Sequence, residues 1–212
     1  MFRHIKEQLD VVLLNDPAAS SRLEVFLTYS GVHAIWSHRL AHFFYRHRCK
    51  LLARIISQGN RFFTGIEIHP GAKIGRRVFI DHGMGLVVGE TCEIGNDVIL
   101  HHGVTLGGTG HDTGWRHPII KDRAFISGDV QILGPIIIGE DSKIGAGAVV
   151  INDIPDKATA VGVPARVISI GDKRIDVADK AKQLENRIDE LNTELKKLVK
   201  EVAAIREGKE EK

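Results

Sequence analysis

Aliphatic residues return at every sixth position through the middle of this chain. Ile68, Ile74, Ile80 and Leu86 stand six apart. After a slip of two residues the beat resumes at Val88, Ile94, Leu100 and Leu106, and after a longer break at Ile120, Ile126, Ile132, Ile138, Ile144 and Val150. Glycine follows Ile74, Val88, Ile94, Ile138 and Ile144. Self-similarity at so short a period predicts a solenoid of hexapeptide β-helix repeats over residues 65–170. Each short strand turns one aliphatic inward, and the flat outer faces stay free to pair with other copies.

The flanks follow other periods. Residues 1–64 are rich in Leu, Phe, His and Arg and read as a helical domain. Asn15-Asp16-Pro17-Ala18-Ala19 reads as a turn entering a helix, with Asp16 as the cap and Pro17 at the first helical position. Ile35, Leu40, Phe43 and Phe44 form one helical stripe and Leu51, Leu52, Ile55 and Ile56 a second, both expected in a helix–helix core. From Val177 the apolar steps alternate between four and three. Ala181, Ile188, Leu195 and Val202 take one heptad position, and Val177, Leu184, Leu191, Leu198 and Ile205 take the other. Charged residues fill the gaps. This narrow seam predicts a C-terminal coiled-coil helix over 177–206, with a single amphipathic helix packed on the body as the alternative. Residues 208–212 are expected to fray.

The fold class expected is therefore α+β: an N-terminal helical domain, a parallel β-helix and a C-terminal helix. Between Leu106 and Ile120 the beat is broken by a polar, glycine-rich loop, residues 107–118, ending in Arg116-His117-Pro118. Long loops in compact folds are usually functional or disordered, and this ending favours function.

Composition narrows the setting. A chain of 212 residues with 43% hydrophobic content can fill one core and carry appendages. A net charge of +2 makes no case for nucleic acid or for a membrane surface. Cys49 and Cys92 give no disulfide framework, which points to a reducing compartment. No apolar run is long enough to span a bilayer, and the first residues lack a signal-peptide core. A cytoplasmic protein is expected.

Histidine carries most of the candidate chemistry. His69, His82, His101, His102 and His117 lie within the repeats, where neutral imidazoles on a solenoid wall can bind zinc, although no recognisable ligand spacing joins them. His38 and His42, four apart on a helix, read as surface or inter-helix residues. Asp81-His82 is the sharper pair. A histidine is suited to take a proton near neutral pH, and a carboxylate on its other nitrogen fixes its tautomer and raises its basicity. Asp81 stands beside it, and Glu67 about one coil earlier. A hydrogen-bonded structural histidine is the alternative.

Several motifs then occur in order: Glu67-Ile68-His69-Pro70, Asp81-His82-Gly83, Gly89-Glu90-Thr91, Thr105-Leu106-Gly107-Gly108-Thr109-Gly110, Arg116-His117-Pro118, Lys143-Ile144-Gly145-Ala146-Gly147 and Gly162-Val163-Pro164-Ala165-Arg166. In order and spacing, from Asp16 to Arg166, they resemble the serine O-acetyltransferases. The six-residue beat alone indicates only the wider hexapeptide acyltransferases. The combination of Asp-His-Gly, the Gly-Gly-Thr-Gly loop and Arg-His-Pro is specific to the serine enzymes.

The resemblance implies a left-handed parallel β-helix, against the usual right-handed crossover. It implies acetyl transfer from acetyl-CoA to the L-serine hydroxyl, giving O-acetyl-L-serine for cysteine biosynthesis, with no metal. By motif position His82 is the general base and Glu67 stands where the family carries an orienting aspartate. Asp16, Asp81, Arg116 and His117 fall on the serine-holding positions, which also suit L-cysteine as a feedback inhibitor. CoA is expected along the coil wall at Gly108, Gly128 and Ala146. For Gly108 a glycine needed only for the loop is as good a reading, and small corner residues are the better one for Gly128 and Ala146. The family site lies between subunits of a homotrimer, with Arg116 and His117 facing His82 of another chain.

Departures from the family pattern stand beside these matches. Glutamate replaces aspartate at Glu67, and the helical domain is shorter than in members that pair trimers into hexamers. A heptad helix replaces the isoleucine-terminated tail that binds O-acetylserine sulfhydrylase. The other readings are acetyl transfer to a sugar or other hydroxyl, a γ-type zinc carbonic anhydrase, and a non-catalytic trimerisation scaffold.

Overall fold

The structure, a computed structural model, describes residues 2–110, 113–175 and 185–199, with side chains from residue 5 onward. Three parallel sheets wrap around the repeat residues. The first contains β1 (Glu67–Ile68), β4 (Val87–Val88), β7 (Thr105–Gly107), β10 (Gln131–Leu133) and β13 (Val149–Val150). The second contains β2 (Lys73–Ile74), β5 (Glu93–Ile94), β8 (Ile119–Ile120) and β11 (Ile137–Ile138). The third contains β3 (Phe79–Ile80), β6 (Ile99–Leu100), β9 (Phe125–Ile126) and β12 (Lys143–Ile144). It continues through β14 (Ala158–Val161) into the antiparallel strands β15 (Arg166–Ile170) and β16 (Lys173–Arg174), which close that end.

Register explains the slips in the beat. Val87 pairs with Thr105 and Gln131 with Val149, so a regular coil takes eighteen residues, three hexapeptides. Glu67 pairs with Val87, twenty residues on, because the corner holding Asp81-His82-Gly83 is two residues longer. The third ladder runs Phe79, Ile99, Phe125: the second step is twenty-six, which absorbs the loop of residues 107–118. Leu86 is not a member of the strand ladder. Each hexapeptide has a second inward position two residues before the strand aliphatic. Leu86 occupies it, as do Ile66, Ala72, Val78, Cys92, Val98, Val104, Ala124, Val130 and Ala148, all buried. Each fully buried Ile or Leu of the ladder is worth about 1.5–3 kcal/mol against its exposed state.

Four helices precede the coils: α1 (Phe2–Asn15), α2 (Arg22–Thr28), α3 (Ser30–Arg46) and α4 (Lys50–Thr64). Helices and coils together form one compact unit, residues 1–174, and residues 175–212 form a second. Asp16 does not cap a helix. It lies in the turn after α1, where Oδ1 accepts from the Ala18 N–H at 2.8 Å, and Ser21 caps α2 through the Glu24 N–H.

The stripes expected in a helix–helix core mostly face outward. Ile35 is buried, but Leu40, Phe43, Leu51, Leu52 and Ile55 are exposed, as are Phe62 and Phe63. On α4 the buried stripe is small and polar: Ala53, Ser57, Asn60 and Thr64. It covers the open edge of the first coil, with Ser57 Oγ donating to the Ile68 carbonyl at 2.7 Å and Asn60 Nδ2 to the Ile66 carbonyl at 3.1 Å. Such a covered edge cannot pair with a stray strand. The other helices pack on the third sheet: Phe79 joins Leu9, Val12, Val25 and Val32 in one cluster. Gly31 lets α3 approach β3, since a methyl there would overlap the Ile80 carbonyl. His38 is buried, contrary to the surface reading.

In the second unit, residues 185–199 are helical, and Ile188, Leu191, Leu195 and Leu198 are exposed on it. Val177, Ala181, Leu184, Val202, Ile205 and the segment expected to fray lie outside the described residues.

Candidate active site

Two corners of the β-helix carry the candidate residues, one at each edge of the first sheet. At the corner leading from the third sheet into the first, Asp81 follows β3 and His101 follows β6 at the paired position. His82, His102, Gly128 and Ala146 come next in register, one per coil. His82 has φ 56°. Its register equivalents His102, Gly128 and Ala146 do not share that left-handed conformation. The ordinary turn of this corner takes it at Gly85, Gly103, Asp129 and Gly147, so at His82 it belongs to the longer corner, and histidine tolerates it better than most residues.

The imidazole of His82 is 77% exposed, with Nε2 3.9 Å from Asp81 Oδ1. The other Asp81 oxygen lies 3.4 Å from His101 Nε2, whose Nδ1 lies 3.1 Å from the Ile126 carbonyl. The helical layer brings Asp16 to this corner. Its Oδ2 accepts from the Tyr29 hydroxyl at 2.6 Å. That bond, then the Ala18 N–H and, more weakly, the charge of His82, hold the Asp16 carboxyl below the usual range. The Tyr29 phenol is pushed up to about 12, chiefly by its bond to Asp16. Asp16, Asp81 and a solvent-open His82 thus share one electrostatic neighbourhood.

Glu67 is not part of it within one chain. Its carboxylate pairs with Arg61 Nη1 at 3.1 Å, and no hydrogen bond or ion pair joins it to His82.

Arg116 and His117 stand at the other edge of the first sheet, on the corner leading into the second. Arg116 Nη2 donates to Glu90 Oε2 at 2.8 Å, while the Tyr45 hydroxyl donates to Glu90 Oε1 at 2.8 Å. These partners, Tyr45 first, keep the Glu90 carboxyl below its ordinary pKa. His117 is buried, and its pKa is lowered by burial and then by the Arg116 charge. A cleft of about 470 Å³ lies alongside, lined in part by Tyr45, Glu90, Thr91 and Trp115.

The three positions read as CoA contacts fare differently. A methyl at Gly108 would lie 3.1 Å from the Arg116 carbonyl and from His117 Nε2, and one at Gly128 would lie 2.9 Å from the His102 ring. Both glycines therefore have packing reasons of their own. Ala146 is exposed on the corner column. The histidines read as a zinc wall divide, with His82, His101 and His102 at one corner and His69 and His117 at the other. Among the described residues no three His, Cys, Asp or Glu side chains are placed to hold a metal ion. Sequence reasoning assigned no role to Tyr29, Tyr45, Glu90 or Thr91; the Gly89-Glu90-Thr91 motif was the available signal for the last two.

Short parallel strands in three-hexapeptide coils, with polar side chains gathered at the corners, define a hexapeptide-repeat β-helix protein. A family model described as "Bacterial transferase hexapeptide (six repeats)" matches residues 117–152. The serine acetyltransferase of Bacillus subtilis (strain 168) is 57% identical over 205 residues, covering 92% of this chain and 94% of its own length. Among solved structures, a serine acetyltransferase from Brucella abortus strain S19 in complex with coenzyme A is 40% identical with a TM-score of 0.77, covering 82% of this chain and 68% of its own. A serine acetyltransferase in complex with cysteine is also 40% identical, with a TM-score of 0.78 and coverages of 83% and 66%. The chain belongs to the serine acetyltransferase family, acyltransferases built on a left-handed β-helix that follows an N-terminal helical region.

Proposed function

We propose that the chain transfers the acetyl group of acetyl-CoA to the hydroxyl of L-serine through a site shared by neighbouring copies. The observation that carries this reading is the corner where Asp16, Asp81 and an open His82 meet. A serine hydroxyl is a weak nucleophile near neutral pH. His82 takes its proton as the oxygen attacks the thioester carbonyl, and the C–S bond then breaks. The imidazolium returns the proton to the leaving thiolate. Asp16 and Asp81 hold the serine ammonium.

The serine carboxylate needs Arg116, which lies at the opposite edge of the first sheet. The family match and this separation support a homotrimer in which the Arg116–His117 corner of one copy faces the His82 corner of the next. The outward apolar stripe of α4 and the exposed seam of helix 185–199 support association of copies, the latter as a coiled coil. Acetyl-CoA lies along the column ending at Ala146, with the family's complex with coenzyme A as support. L-Cysteine has the carboxylate and ammonium of serine, and competes for the same groups. Glu67 reaches His82 only if the assembly or the substrate draws it from Arg61. The family and the free cysteines support the reading of a cytoplasmic enzyme of cysteine biosynthesis.

The test is release of free CoA thiol from acetyl-CoA with a panel of hydroxyl acceptors. Serine should be the preferred acceptor, and His82→Ala should lower kcat by about 10²-fold or more, as for a lost general base. Turnover of His82→Ala near that of the unaltered protein would remove His82 from the chemistry.

A further inference from the structure

The motif Gly89-Glu90-Thr91 sits one coil before Arg116-His117 in the same corner. Glu93 pairs with Ile119, so Thr91 and His117, each two residues earlier, hold equivalent register positions. The Thr91 hydroxyl oxygen accepts from two backbone N–H groups, those of Arg116 and His117, both at 3.2 Å. Both of its lone pairs are then engaged, and its own proton is left to donate. His117 Nδ1 lies 2.9 Å away. The Thr91 backbone N–H also points at Nδ1, at 3.3 Å.

A ring nitrogen facing two donors cannot carry a proton of its own, so the hydrogen-bond network places the imidazole proton on Nε2. All hydrogen bonds of this ring among the described residues fall on Nδ1. The ring itself lies over a bare backbone. A methyl at Gly89 would fall inside it, and one at Gly108 would lie 3.1 Å from Nε2. Gly89 is not among the residues of left-handed conformation, so its missing side chain is a requirement of space. Glu90 meanwhile holds the Arg116 guanidinium.

We propose that Thr91 is a positioning residue that fixes His117 as its neutral Nε2–H tautomer, so that His117 serves the acyl acceptor as a hydrogen-bond donor and never as a base. This rests on the reading that Arg116 and His117 bind the acceptor. The two site histidines then have opposite proton roles: His82 takes the hydroxyl proton, and His117 presents one, beside Arg116, to the acceptor carboxylate. Gly89 and Glu90 complete the cradle for the imidazole and the guanidinium.

The test compares the full-length protein with Thr91→Val and Thr91→Ser. Long-range ¹⁵N–¹H spectra of histidine-labelled protein, with the His117 signal assigned by its loss in His117→Asn, report which ring nitrogen is protonated. Unaltered protein and Thr91→Ser should show the proton on Nε2, whereas Thr91→Val should show a mixture. With serine, kcat/KM should fall about 10-fold or more in Thr91→Val, the scale of one misaligned bond to a charged group, and recover in Thr91→Ser. The KM for acetyl-CoA should hold. A proton on Nδ1 in the unaltered protein would overturn the proposal, as would a Thr91→Val enzyme with unchanged kcat/KM. If serine is not acetylated at all, the functional reading fails while the spectrum still decides the tautomer.

Discussion

His38 should make this protein sensitive to mild acid. It lies on α3, 4% exposed, with Nδ1 unpartnered. Burial, followed by the charges of His42 and Arg39 and, more weakly, His69, depresses its pKa to about 3; a bond to the Ala72 backbone opposes them. In the unfolded chain a histidine titrates near 6.5. Between those values the unfolded state binds a proton that the folded state refuses, so stability falls as pH drops below about 6.5 and goes on falling to about 3. From pH 7 to pH 5 the loss is about 2 kcal/mol, or roughly 4–8 °C in Tm for a chain of this size. His38→Gln keeps a donor for the Ala72 carbonyl and removes the titration. Melting curves of both proteins at pH 7 and pH 5 cancel the carboxylate contributions they share. The Tm difference should move by about 4–8 °C in favour of the variant at pH 5. Parallel acid losses in the two proteins would refute the argument.

Gly31→Ala should push α3 away from the Ile80 carbonyl. Overpacking of this kind costs about 1–3 kcal/mol, and because the same helical layer carries Asp16 and Tyr29, the KM for serine should rise alongside the fall in Tm. Unchanged serine kinetics with a lowered Tm would separate the helical layer from the site. Truncation after Gly171 should leave a trimeric, active enzyme of lower thermal stability, because every candidate site residue lies upstream; dissociation seen by light scattering would assign the association to the tail instead.

The β-helix was legible because packing enforces it. A strand that turns one side chain inward every six residues must repeat an aliphatic there, and Ile120, Ile126, Ile132, Ile138 and Ile144 do so. Leu86 was misplaced because the position two residues before each strand aliphatic is also buried, and a leucine fits either. The helices were harder to read. An apolar stripe shows that a helix has an apolar face without saying which neighbour covers it. On α4 the polar residues Ser57 and Asn60 are the buried ones, because the coil edge offers carbonyls that need donors. Periodicity is blind to that demand.

Site residues were legible where chemistry is local and illegible where register supplies it. Asp81 and His82 are neighbours in sequence. Asp16 and Tyr29 are thirteen apart, and Thr91 and His117 twenty-six, joined only by the way helices and coils stack. A solenoid gives each corner a column of equivalent positions, and a residue in one coil can act through its counterpart in the next. The long loop between β7 and β8 leaves the columns intact. It delivers Arg116 and His117 back into register one coil after Glu90 and Thr91, so both meet partners already fixed by the ladder. The rigidity of this half of the site therefore comes from the coil beneath it. Substitutions at Glu90 or Thr91, which need not touch the acceptor, should act on acceptor affinity as surely as substitutions in the loop itself.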